Sequence, residues 1–385
     1  MAENTLTSLA GDIYVAADKV GRELTGMIPA VTINSGSEAA ALDDTVRASF
    51  APEVSLTTLT PAMTIPEGTG QTVANKTMTL DTMKTVEIPW TGEGIKSVNN
   101  GAGYDTIYGD MIAQAFRAHA NAIESALVTA ARAGASRAYG TAATTPFGTA
   151  NDYTDASNVL KILKDNGAGD FDNQMVINTA AGANFLGKQS AVNAAGTDNI
   201  LRQGVILDVA GMPMRESGQL GSHTAGTAAS ATTDNAGYAV GATTITLDSA
   251  GTGTILAGDV ITFAGDTNKY VVVTGDADVS GGGTITLQKP GLRVAMSAAT
   301  KAITMVATHS DNLGFSRSAV ELAIRAPADP LGGDAAEDMM TVTDPHSGLS
   351  FAISVYKGRK KAMIAVDCLS GVKVWKPEHV ALLLG

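Results

Sequence analysis

The chain carries few groups that could do chemistry. Its five histidines, His119, His223, His309, His346 and His379, stand far apart, and no HExxH or Cys/His cluster sets two of them at metal-ligand spacing. The plain reading of each is packing or surface; a metal site would need the fold to collect distant ligands. GxG triplets at Gly68–Gly70, Gly92–Gly94, Gly101–Gly103 and Gly251–Gly253 lack the later glycine of a dinucleotide fingerprint. Gly187-Lys188 is followed by Gln189, so it is no phosphate loop, and no GxSxG nucleophile elbow occurs. Asp43-Asp44 and Glu337-Asp338 are adjacent carboxylates that could share a proton in a closed site, but in loops such pairs are ordinarily solvated. The single cysteine, Cys368, lies in the apolar run Ala362–Leu369. It permits no intrachain disulfide and no Cys-based zinc site, and it reads as buried and structural. Asn75-Lys-Thr77 matches a glycosylation acceptor, which carries no weight without a secretion signal. The expectation is a protein that is not an enzyme, with no catalytic, cofactor-binding or metal-binding residues.

The elements that would have to position any site give the same answer. The chain has 385 residues, enough for two or more domains. Hydrophobic residues make up 44%, aromatics only 5%, and there are 42 glycines, a profile that suits sheets and loops packed on small residues better than an aromatic-lined pocket. The net charge of −12 makes a poor nucleic-acid binder, because phosphate contacts need clustered Lys and Arg. The basic run Arg359-Lys360-Lys361 reads as a solvated hairpin turn after Gly358. The N-terminus shows no basic and apolar leader pattern and the chain has no 18-residue apolar run, so the expectation is a protein without a membrane span, made in the cytoplasm.

Along the chain, Leu6, Leu9, Ile13, Val20 and Leu24 recur near helical period, ending at Gly26 and Pro29, as in an amphipathic N-terminal arm. Residues 45–98 alternate as strands at Val54–Leu59, Met78–Leu80 and Val86–Ile88, broken by Pro61, Pro66 and Asn75. A hairpin of this kind is too thin to bury its own side chains and needs another surface. Ile112, Phe116, Ala120, Ile123, Leu127 and Ala130 predict a helix over 104–138, a rod of roughly 50 Å. Residues 154–216 read as a compact α/β unit, with helices at Ala156–Lys164 and Thr179–Ser190 around a buried strand Gln174–Asn178 and the extended run Val205–Met214. Residues 217–237, nearly all small and polar, read as a flexible linker. Short strands at Thr243–Leu247, Asp259–Phe263, Tyr270–Thr274, Thr284–Gln288 and Ala302–Ala307 then predict a small inserted all-β barrel or sandwich. Asn312–Arg325 reads as helical or extended. The tail gives strands Leu349–Tyr356, Lys361–Val366 and Val372–Trp375, and the apolar end Val380–Leu384 closes it.

Several short stretches, in this order, carry a resemblance. They are Met27-Ile-Pro-Ala-Val31 leading to Asp44-Thr-Val-Arg47, Met175-Val-Ile-Asn178, Gly211-Met-Pro-Met214, Leu256–Gly265, Asn312–Ala319 and Asp367–Val372. Over almost its whole length the chain resembles the coat proteins of tailed phages of the P-twenty-two type, an α+β Hong Kong 97-type capsid fold with an inserted small all-β domain. The resemblance implies an N-arm at 1–45 and an extended loop with flanking strands at 46–103. It further implies a peripheral domain with a spine helix at 104–149, an axial domain at 150–216, the inserted domain at 217–308, and a return to the peripheral and axial domains at 309–385. It implies the structural subunit of an icosahedral head, forming pentamers and hexamers with itself. A scaffolding protein would assist assembly and a portal protein would occupy one vertex. The shell would enclose double-stranded DNA without sequence-specific binding. Assembly in the host bacterial cytoplasm and a final place in the virion follow from it. Asp259, Asp266 and Arg293 in the inserted domain, with Glu67 and Arg47 on the extended loop, are the candidate intersubunit contacts; the plainer reading of each is a salt bridge within one domain. Two features depart from the family: the inserted domain is short, and 217–237 is bland, so no capsomer-bridging loop can be placed. No residue pair suggests a covalent crosslink. The alternatives are a bacterial surface or adhesive β-rich protein, which the Gly/Thr-rich strands favour, and a two-domain enzyme built on residues 154–216.

Overall fold

A computed structural model describes residues 21–36, 38–49, 75–99, 104–149, 152–169, 172–189, 208–330 and 333–385, with isolated positions between 54 and 65. The expected N-terminal helix lies mostly outside the described residues, as do residues 205–207; of the rest of the expected extended run, Val209 and Met212 bridge across a turn and Met214 opens a strand. Residues 21–26 are not helical.

The long helix spans Tyr104–Ala133, 30 residues and about 45 Å. Ile112, Phe116, Ala120, Ile123 and Leu127 of the expected stripe are buried, while Ala130 is half-buried. The helix ends earlier than the periodicity suggested; just past its end Gly134 packs so tightly on Val374 that a Cβ there would sit 2.8 Å from the valine side chain. The chain then enters a strand at Arg137–Gly140.

Two sheets meet this helix. The first orders Thr32–Ser35, Val320–Arg325, Lys361–Val374, Ser350–Gly358 and Asp338–Thr343, with Thr82–Thr91 also paired to Lys361–Val374. Its inner face packs on the helix, where the Phe116 and Phe351 rings stack at 5.2 Å and His119 hydrogen-bonds the Val366 carbonyl at 2.9 Å. His119 is thus a satisfied core residue. Cys368 lies in the same core, and burial pushes its thiol up to about 12. Lys361–Val374 is one 14-residue strand rather than two, its far half held in the ladder with Val320–Arg325, and Gly371 within it leaves room for the Thr79 carbonyl, which a Cβ would meet at 2.3 Å. Arg359-Lys360 forms the expected turn, since Gly358 pairs with Lys361.

The second sheet runs Ile303–Met305, Val260–Phe263, Lys269–Thr274, Arg137–Gly140, Val380–Leu384, His309–Ser316, Asn173–Asn178 and Met214–Ser217. Every residue of Asn173–Asn178 and of Val380–Leu384 is buried, so neither strand alternates; Val380–Leu384 is wholly apolar, while Asn173, Gln174 and Asn178 are buried polar residues that hydrogen-bond within the fold. Helices Thr154–Asp165 and Thr179–Gln189 supply the second core beside them. Asn312–Arg325, open between helix and strand on sequence, divides into the strands His309–Ser316 and Val320–Arg325.

Residues 231–303 enclose a third core of their own, built on Ile245, Ile261, Phe263, Tyr270, Val272 and Ile285. The expected flexible linker 217–237 is instead built in: Ser217 ends the strand Met214–Ser217, Ser222–His223 pairs with His309–Ser310, and the later residues run along this β-module. Ala228, Thr233, Asp234 and Tyr238 each donate a backbone hydrogen bond, to Thr254, Lys301, Thr246 and Met296. Small side chains let the strand-like segment lie flat on the module; composition alone could not distinguish that from disorder.

Candidate assembly surface

The extended loop rises from a rooted hairpin. Thr45–Ser49 pairs antiparallel with Asn75–Thr79, Val46 opposite Met78. Met78 and Leu80 are buried against Ala323, Leu369 and Trp375. The Trp375 indole donates to Glu321 at 2.6 Å, and Lys76 donates to the Trp375 carbonyl at 2.9 Å. At the turn, Asp44 accepts from the Ala41 amide at 2.7 Å, and Asp43 takes a left-handed φ of 70°. The hairpin therefore leaves the body at a set place.

Beyond the root the described large apolar side chains are bare. Val54 is 72% exposed, Leu59 88%, and Leu56, Met63 and Ile65 are essentially fully exposed. No residue from Val54 to Ile65 is charged. Covering each such side chain is worth roughly 1.5–3 kcal/mol before ordering costs, and contiguous apolar exposure of this kind marks an interaction surface.

A concavity with an apolar floor lies between the strand Thr82–Thr91 and the long helix, with Glu87, Asp110 and Gln114 also lining it. It has a volume of about 390 Å³ and is lined by Val86, Ile88, Ile107, Met111, Ala115 and Ala118. Asp110 at its rim has a buried Oδ1 with no hydrogen-bond partner. Thr82–Thr91 pairs only with Lys361–Val374 among the described residues, which leaves its outer edge open. Pro89 fits there, since a proline cannot donate to a second ladder.

The N-terminal segment is clamped beside this surface. Arg22 pairs with the fully buried Asp344 at 2.6 Å. Arg117 and Asn121 of the long helix bind Glu23, and the Arg117 hydrogen bond chiefly holds its carboxyl down at about 2. Glu124, fully buried on the same helix, accepts from the Met27 and Ile28 amides at 2.7 and 2.9 Å and from the Ser217 hydroxyl at 2.7 Å. It caps the short 3-10 turn Ile28–Ala30 and ties three segments to one carboxylate. Nothing in the sequence flagged it beyond a Glu within an apolar helix face.

The candidate contact residues separate. Asp259 is not available to a neighbour: it is fully buried and bonds His223 at 2.8 Å and the Leu256 and Gly226 amides. Its place after Gly258 at the start of a buried strand turns it inward. Asp266 is half-buried and closes its own turn, accepting from Asn268 and from the Tyr270 hydroxyl at 2.6 Å. Arg293 is exposed, with its backbone amide donating to Tyr270 at 3.0 Å. Arg47 is exposed on the hairpin root, opposite Thr77. Glu67 lies outside the described residues. Asp266 and Arg293 are therefore brought to one residue, Tyr270, and Arg47 stands apart.

Among the described residues no group of three or more His, Cys, Asp or Glu side chains could hold a metal ion, and no helix is long and apolar enough to cross a membrane. The arrangement is one of surfaces, and its backbone matches a known one. The capsid of cyanophage P-SCSP1u superposes with a TM-score of 0.51 over 95% of this chain and 89% of that one, at 12% identity. The chain has the fold of a phage capsid subunit. The mature capsid of bacteriophage PhiM1 (TM-score 0.46, 12% identity, 95% of this chain and 88% of that one) and Mycobacterium phage Che8 (0.45, 12%, 94% and 92%) are similar at lower scores. No family model matches the sequence, and no curated protein is similar to it at a significant level.

Proposed function

We propose that this protein is the major structural subunit of an icosahedral phage head of the Hong Kong 97 type, close in plan to the P-twenty-two-like coat proteins. The observation that carries the reading is the uncharged, bare run Val54–Ile65 on a rooted hairpin. A folded subunit gains nothing from holding five large apolar side chains in water. It gains if a second copy covers them, and the groove beside Thr82–Thr91 is an apolar surface of suitable kind. Repeated around a closed symmetry, such a contact generates rings and shells. The long helix Tyr104–Ala133 would be the spine of the peripheral domain, the sheet around Val380–Leu384 the axial domain, and residues 217–308 the inserted domain. A net charge of −12 suits a container that must not bind its DNA tightly. A scaffolding protein and a portal protein are the partners such a shell requires, and the virion, reached from the host cytoplasm, is its location.

Negative-stain electron microscopy of the protein expressed in bacteria, alone and with the scaffolding gene of the same genome, tests the proposal. Closed shells or curved open sheets tens of nanometres across are expected. A monomer of 39.1 kDa in both conditions would overturn it.

A further inference from the structure

The β-module is joined to the body by a short ladder. The incoming strand Ser222–His223 lies antiparallel to the start of the outgoing strand, with His309 opposite His223 and Ser310 opposite Ser222. The two imidazoles are 5.6 Å apart between centroids, and both are buried. Each faces a carboxylate. His223 Nε2 is 2.8 Å from Asp259 Oδ1, and His309 Nε2 is 3.4 Å from Asp311 Oδ1. Arg132, in the last turn of the long helix, donates to the other oxygen of Asp311 at 3.0 Å.

The hydrogen bonds of His309 decide what this cluster needs. Its Nδ1 lies 2.9 Å from the Ala307 carbonyl, which can only accept, so Nδ1 carries a hydrogen. In a neutral ring Nε2 would then be a bare lone pair. That lone pair would face Asp311 Oδ1, and both atoms are buried and make no hydrogen bond. Two acceptors facing each other away from water are costly, whereas a proton on Nε2 converts the contact into a charge-assisted bond.

We propose that His309 is a proton-operated clasp on the neck of the β-module: the imidazolium holds Ser222–His223 and His309–Asp311 together, and loss of its proton releases them. The groups that face it are Asp311 on its own strand, Arg132 from the helix, and His223 with Asp259 across the ladder. Burial opposes the charge and Arg132 repels it, but the close Asp311 carboxylate and the hydrogen bond to Ala307 outweigh both, so the pKa of His309 is raised. A pKa raised by folding gives stability that is complete below the ordinary imidazole range and is lost as pH climbs through the folded value. A second attachment, Lys269–Tyr270 paired with Ala138–Arg137 and reinforced by Arg137 to Asn268 at 3.1 Å, contains no histidine and should not respond.

Hydrogen–deuterium exchange of the full chain between pH 6 and 9, corrected for intrinsic exchange, tests this. Protection at 222–223 and 309–311 should fall roughly fivefold or more as pH rises, while 137–138 and 269–270 stay constant. His309→Gln should remove that slope. Should the variant misfold, histidine-selective nitrogen NMR of the unassembled wild-type chain should find both His309 ring nitrogens protonated near pH 7. Neck protection independent of pH, a wild-type slope in His309→Gln, or a neutral His309 at pH 6 would each overturn the proposal. It stands apart from the capsid reading, since the clasp lies within one chain.

Discussion

Two apolar stretches of this chain meet opposite fates. Val380–Leu384 is fully buried, pairing in parallel with Arg137–Gly140 on one side and antiparallel with His309–Ser316 on the other. Val54–Ile65, uncharged and with Ser and Thr between its apolar residues, holds its described large side chains in water. The first finds both its ladders and its cover within its own chain. The second lies beyond a hairpin root that is buried, and its described large side chains find no cover among the described residues. An apolar stretch thus serves the fold or the assembly according to whether the same chain supplies its other face.

Substitutions can break that contrast. Leu382→Ala, in the buried stretch, should cost about 4 kcal/mol by cavity formation, read as a lower denaturant midpoint; a loss under about 1 kcal/mol would mean that the sheet centre is not the stability core. Glu124→Gln should cost about 2 kcal/mol, because the amide nitrogen meets donors where a carboxylate accepted from Met27, Ile28 and Ser217. Thermal melting measures the loss, and faster protease cleavage near residues 22–28 would show where it arises. Leu56→Ser combined with Leu59→Ser should change subunit stability by less than about 0.5 kcal/mol, yet abolish shells in electron micrographs. Normal shells from that double variant would erase the difference between the stretches.

The smallest effect concerns the N-terminal anchor. Folding lowers the Glu23 pKa to about 2 through Arg117 and Asn121, so its contribution is complete above the ordinary carboxylate range and fades as pH falls through about 2. A spin label on Leu24→Cys should keep the same mobility from pH 6 to pH 4. The native Cys368, buried and with a raised pKa, should not take up the label. A label freed already at pH 5 would show that the ion pair does not hold this segment.

Much of the architecture was legible because it depends on periodicity. The stripe Ile112–Leu127 announced the long helix, and the short Gly-punctuated strands announced the β-module. Less legible were features set by close approach. Gly134 has Val374 against it just past the helix end, and Gly371 has Thr79 crossing over it inside a single strand; neither neighbour is visible in the local sequence. The bland segment 217–237 looked like a linker because small polar residues look alike whether solvated or laid on a sheet. Among the candidate contact residues, Asp259 was misread for the same kind of reason: a carboxylate gives no local sign that three donors will surround it.

The sequence by itself determined the class of the protein: acidic, without a recognisable catalytic motif, with one long helix, a thin apolar hairpin and a β-rich insertion. Those follow from charge, spacing and turn chemistry, which are local. Only the tertiary structure decided which apolar stretch is core and which is bare, that Glu124 gathers three segments, and that His223 and His309, 86 positions apart in the chain, face each other across the neck of the module. Those depend on which distant segments share a ladder, and no local preference encodes that.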